Sequence, residues 1–70
     1  MKNWIRVERA KKQISQEQLA RALGVSRNAI ASLETGRYEA NVSFAIKLAR
    51  YFNKKVEDVF FLTDADIPES

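Results

Sequence analysis

Residues 16–35 read Gln-Glu-Gln-Leu-Ala-Arg-Ala-Leu-Gly-Val-Ser-Arg-Asn-Ala-Ile-Ala-Ser-Leu-Glu-Thr. Two helices and the turn between them are written into this stretch. Ser15, just ahead of it, pairs with Gln18 as a capping box, which opens a helix by satisfying its first amides. Leu19, Ala20 and Leu23 then share one face at helical spacing. Gly24 ends the helix, since glycine enters the left-handed conformation without steric cost. Val25 alone separates that stop from Ser26, the cap of a second helix that runs to about Thr35 and is stopped by Gly36. Helices joined by so short a connection cross steeply, at about 90–120°. Their backbones come close at the crossing, and Ala20 is small enough to permit it. Leu19, Leu23, Val25, Ile30 and Leu33 form the apolar wedge between them.

The same logic extends outward. A first helix spans about Asn3 to Gln13. Asn41 caps a fourth helix, Val42 to Phe52, and Asn53 is an acceptable left-handed stop. A short fifth helix covers roughly Val56 to Phe60. With Pro68 the only proline and two glycines in all, little punctuates a strand-and-turn protein. The fold class expected is all-α, a compact five-helix domain over residues 1–62 followed by an acidic, frayed tail over residues 63–70. Its core is Ile5, Ile14, Leu19, Leu23, Val25, Ile30, Leu33, Ala45, Leu48, Ala49, Phe52, Val56 and Val59.

A chain of 70 residues makes one domain with a marginal core. It has no cysteine and no histidine, so neither disulfides nor the common zinc sets can staple it. Association with a second copy is the staple that remains. Net charge is +3 but unevenly spread: residues 1–38 hold eight Lys/Arg against three acids, residues 39–70 four against six. A basic half of this kind fits a polyanion. No apolar run approaches a bilayer span, and no secretory-type stretch follows Met1-Lys2-Asn3-Trp4, so a cytoplasmic protein without a membrane partner is expected. No nucleophile–base pair, clustered carboxylates or glycine-rich phosphate loop is evident, so no catalytic residue, metal or cofactor is assigned.

The 16–35 stretch resembles the Cro and phage-repressor type helix-turn-helix regulators. Gln16, Leu19, Ala20, Gly24, Val25, Ile30 and Leu33 agree jointly, and the likeness covers about residues 4–60. It implies a lambda-repressor-like domain that docks its third helix in the major groove of double-stranded DNA. In that family the residues matching Arg27, Asn28 and Ser32 contact base edges. Those matching Gln16 and the vicinity of Arg37 hold phosphates, and those matching Arg9 and Glu34 form a partly buried ion pair.

The residues themselves support such a docking. Arg27, Asn28, Ala31, Ser32 and Thr35 share the outward arc of the third helix, with Ile30, Leu33 and Ala29 inward. Arginine can bond guanine O6 and N7 together, asparagine adenine N6 and N7, and Ala31 leaves room for a thymine methyl. Arg27 has a second option, a phosphate contact. Gln16 and Ser26 begin helices whose free amides and dipoles favour phosphate. Thr35, Arg37 and Tyr38, at and just beyond the end of the third helix, are further backbone candidates.

Several positions depart from the family. Glu8 stands where a core leucine is common, with Lys12 on the same arc, while Trp4, Val7, Ala10 and Ile14 form a second stripe. Either the first helix is rotated or that stripe meets a partner. Ala40 stands where a proline is frequent, and Lys55 where a capping serine is. Phe60, Phe61 and Leu62 cannot all be buried by one helix face, which leaves at least one for a partner or a short C-terminal strand. Together with Phe44 and Tyr51 they are assigned to a homodimer interface, the alternative being that they cover the monomer core. The function expected is a homodimeric repressor on a palindromic operator. The alternative is an antitoxin-type module whose C-terminal surface binds a partner protein.

Overall fold

The computed structural model describes residues 2–62, so the tail expected over residues 63–70 lies outside the described residues. The order of elements is β1 (Lys2–Asn3), α1 (Ile5–Lys12), α2 (Gln16–Leu23), α3 (Arg27–Glu34), α4 (Val42–Tyr51), α5 (Val56–Val59) and β2 (Phe60–Phe61). Local chemistry sets most boundaries. Ser15 Oγ accepts from the Gln18 amide at 3.0 Å while Gln18 Oε1 accepts from the Ser15 amide at 2.7 Å. Ser26 Oγ accepts from the Ala29 amide, and Asn41 Oδ1 from the Phe44 amide. Asn53, beyond α4, has φ +56°, the left-handed stop expected of it. Lys55 has no side-chain acceptor to cap α5. Asp58 instead reaches back, its Oδ2 accepting from the Lys55 amide at 3.4 Å.

The chain ends depart from the sequence reading. The first helix begins at Ile5 rather than Asn3, because Lys2 and Asn3 pair antiparallel with Phe61 and Phe60. Asn3 Nδ2 donates to the Leu33 carbonyl at 2.8 Å, Asn3 Oδ1 accepts from the Ile5 amide, and the Trp4 amide donates to the Val59 carbonyl at 2.8 Å. The fifth helix correspondingly stops at Val59, where the chain turns extended.

The buried core contains Ile5, Leu19, Ala20, Ile30, Leu33, Ala45, Leu48, Ala49, Phe52, Val59 and Phe60, with Ile14, Leu23, Val25, Ala40, Phe44, Tyr51 and Val56 packed against it. Helix α1 is not rotated. It turns Ile5 and Glu8 inward, leaving Trp4 and Val7 exposed. The Glu8 carboxylate, buried at the edge of the core, accepts from Lys11 Nζ at 3.4 Å. Lys12 lays its ammonium 5.5 Å from the centre of the Tyr51 ring, an arrangement in which the aromatic face attracts the cation.

Phe60, assigned with Phe61 and Leu62 to the interface, is mostly taken up by the protomer's own core. Side chains alternate across a strand, and β2 turns Phe60 into the core, leaves Phe61 half-buried and is followed by an exposed Leu62. Phe61 stacks on Trp4 with ring centres 5.2 Å apart. Tyr51 stacks on Phe52, and Phe44 and Tyr51 both pack against the core, so half of each is already committed within the protomer.

Candidate nucleic-acid interface

The geometry of the site starts at the α2–α3 crossing. Gly24 sits at φ +72°, and the Val25 amide donates to the Ala20 carbonyl at 3.0 Å, so the chain reverses within a single residue of the helix end. A Cβ built on Gly24 would meet nothing within 4 Å. Glycine is thus required by backbone conformation alone and not by space. Ala20 is buried where the helices meet, and Leu19, Ile30 and Leu33 lock the pair.

Helix α3, held on that wedge and capped by Ser26, offers one face to solvent. Arg27 and Asn28 are exposed, and Ala31 and Ser32 half-exposed. Asn28, Ala31, Ser32, Thr35 and Arg37 line a hollow of about 450 Å³. A second hollow, about 280 Å³, is lined by Ser26, Asn28, Ala29, Ser32 and Tyr38. Asn28 and Ser32 belong to both, so they form the centre of the face. Ala29, expected inward, is half-buried and contributes to this outer wall. Among the described residues, no acid lines either hollow. Arg27 lies outside both, at the N-terminal rim of α3, and among the described residues its guanidinium makes no hydrogen bond or ion pair.

The residues assigned to the DNA backbone divide by what they already do. Ser26 spends an oxygen lone pair on the cap and keeps its hydroxyl proton for donation. Thr35 does not: its Oγ1 donates to the Ala31 and Ser32 carbonyls at 3.1 and 3.2 Å, so its single proton is turned inward. Thr35 is a wall of the hollow and not a free donor. The Arg37 and Tyr38 amides both donate to the Ser32 carbonyl, which folds the post-helix turn under α3 and leaves both side chains at the surface.

Arg9 and Glu34 form the ion pair that the family resemblance implies. Arg9 Nε donates to Glu34 Oε2 at 2.7 Å and Nη2 to Oε1 at 3.2 Å, the two-pronged geometry that suits a guanidinium and a carboxylate. Arg9 Nη1 also donates to the Ile14 carbonyl at 3.0 Å. Sequence reasoning missed the third member: Gln16 Nε2 donates to Glu34 Oε1 at 3.2 Å. The carboxylate at the end of α3 therefore ties down α1 and the start of α2, and Arg9 extends the tie to the α1–α2 turn. The amide of Gln16 retains a second N–H for an outside acceptor.

Residues 5–59 match the family described as Helix-turn-helix. The chain belongs to the helix-turn-helix family. The match spans both crossing helices and the three that support them, the Cro and phage-repressor type of the motif. An uncharacterized HTH-type transcriptional regulator of Methanocaldococcus jannaschii is 42% identical over 64 residues, covering 91% of this chain and 97% of that protein. One from Archaeoglobus fulgidus is 41% identical over 69 residues, covering 99% and 97%. A Bacillus subtilis protein of the same description is 39% identical over 64 residues, covering 91% and 97%. This helix-turn-helix protein is accordingly a DNA-binding regulator.

Proposed function

We propose that this helix-turn-helix regulator binds a palindromic operator as a homodimer and represses by occupying it. The observation that carries the reading is the acid-free face of α3, centred on Asn28 and Ser32 and flanked by Arg27 and Arg37. A helix on a steep crossing docks its N-terminal residues against base edges. Arg27, Asn28, Ala31 and Ser32 are the base readers, and Gln16, Ser26, Arg37 and Tyr38 hold phosphates.

Dimerisation is supported by apolar surface that one protomer leaves open. Val42 is 76% exposed and Ile46 39%, and both border a hollow of about 200 Å³ with Ala40, Ala45, Val56 and an edge of Phe60. This hollow, with the exposed Leu62 and the outer edges of Phe44, Tyr51 and Phe61, is the surface a second copy covers. A second copy related by two-fold symmetry would cover it and present two α3 helices about 34 Å apart, one turn of duplex. Selection of bound duplexes from a random pool tests the whole reading. The expected product is a palindrome whose half-sites are one turn apart. A single unsymmetrical site, with the protein monomeric by sedimentation, refutes the dimer. Failure to enrich any sequence refutes operator recognition, and a protein partner on the same hollow then becomes the favoured reading.

A further inference from the structure

We propose that the β1 edge, through Lys2 and Trp4, is an additional contact for a DNA phosphate beyond the C-terminal end of the recognition helix. The inference rests on the docking described above and extends it to an element outside the two crossing helices. Lys2, Asn3, Trp4 and Phe61 form one wall of a hollow of about 530 Å³, and Glu34, Thr35 and Gly36 form the other. Thr35 also lines the hollow that holds Asn28 and Arg37, so the two concavities share a wall and the β1 edge continues the surface of α3.

The donors on that edge are unengaged among the described residues. Among the described residues, the Lys2 ammonium has no ion pair or hydrogen bond, and the indole N–H of Trp4 has no acceptor. Both are exposed, Trp4 by 48%. The acid on the opposite wall does not oppose a phosphate. Glu34 has a side chain only 6% exposed and is bonded by Arg9 and Gln16. The edge is also held in position. Lys2 pairs with Phe61, Asn3 Nδ2 binds the Leu33 carbonyl, and the Trp4 ring rests on Phe61. A cation on such a frame loses less freedom on binding than one on a loose arm. The ligand is therefore a backbone phosphate, met by an ammonium and an indole N–H with no reading of bases.

The test is the salt dependence of binding to a short mixed-sequence duplex, for the full chain and for Lys2→Gln, Lys2→Arg and Trp4→Phe. Each phosphate neutralised adds about 0.9 to the slope of log K against log salt. Lys2→Gln is expected to lower that slope by about 0.9, and Lys2→Arg to keep it. Trp4→Phe, which retains the ring stack and loses the N–H, is expected to weaken binding about three-fold or more at unchanged slope. Trp4 is the chain's only tryptophan, so its emission should change when duplex is added to the unmodified protein. An unchanged slope for Lys2→Gln, in a variant whose thermal melt matches the parent, overturns the proposal while leaving the α3 docking intact. If the parent chain binds no duplex, both fall together.

Discussion

Gln16 Nε2 and Arg9 Nη2 each lie 3.2 Å from the same oxygen, Oε1 of Glu34. The first residue of α2 and a cation on α1 thus converge on the end of α3. The residue expected to hold a phosphate is also part of the frame that orients the recognition helix. Backbone contact and helix orientation are coupled through one carboxylate.

That coupling predicts that Gln16→Ala lowers stability by about 1 kcal/mol, the usual net value of one hydrogen bond, and weakens binding to all duplexes alike. Gln16→Glu would set a second carboxylate against Glu34 and should be less stable than the alanine variant. Denaturant melts of the two, with a titration on operator and non-operator duplexes, check it. Equal stability of the glutamate and alanine variants would mean that the Gln16–Glu34 bond carries no weight.

Removing either Arg9 or Glu34 alone strands the other charge in a poorly solvated place. Breaking a fully buried pair costs about 3–5 kcal/mol. The Arg9 side chain keeps 15% of its exposure and that of Glu34 6%, so the lower end of that range is expected for Glu34→Ala or Arg9→Ala. The double variant should be less damaged than the sum of the two. A double-mutant cycle with a coupling energy near zero would count against the pair as a structural tie.

Arg27 stands apart from the hollows centred on Asn28 and Ser32, so its role is the sharpest question on the recognition face. If it reads a base, Arg27→Ala should cost about 1–3 kcal/mol of binding and relax preference at one base pair per half-site. Titration against every single-base variant of the selected operator decides it. A uniform loss across variants, with the preferred base unchanged, makes Arg27 a phosphate contact and leaves base reading to Asn28 and Ser32.

Phe60 and Ile46 separate the core from the proposed interface. Phe60→Ala should cost about 3–5 kcal/mol, as a buried ring is lost and a cavity left. Ile46→Glu, on the open side of the same hollow, should leave the stability of the isolated protomer within about 0.5 kcal/mol and shift sedimentation from two chain masses to one. If Ile46→Glu remains a dimer, the second copy docks elsewhere.

The sequence by itself determined the elements whose causes are local. The Ser15–Gln18 box, the Ser26 and Asn41 caps and the left-handed Gly24 each act within about four residues, so helix boundaries and the α2–α3 crossing were legible from spacing. The outward arc of α3 was legible for the same reason, since period alone separates Asn28 and Ser32 from Ile30 and Leu33. Tertiary structure decided what depends on partners far along the chain. Lys2 and Asn3 became a strand because Phe61 and Phe60, at the opposite end, supplied its hydrogen bonds. That pairing in turn chose which of Phe60, Phe61 and Leu62 would be buried. Gln16 found Glu34 only after α3 had folded back across α2. Propensity and capping are properties of neighbouring residues, whereas a strand's partner or a shared carboxylate is a property of the packed chain, and no local pattern encodes it.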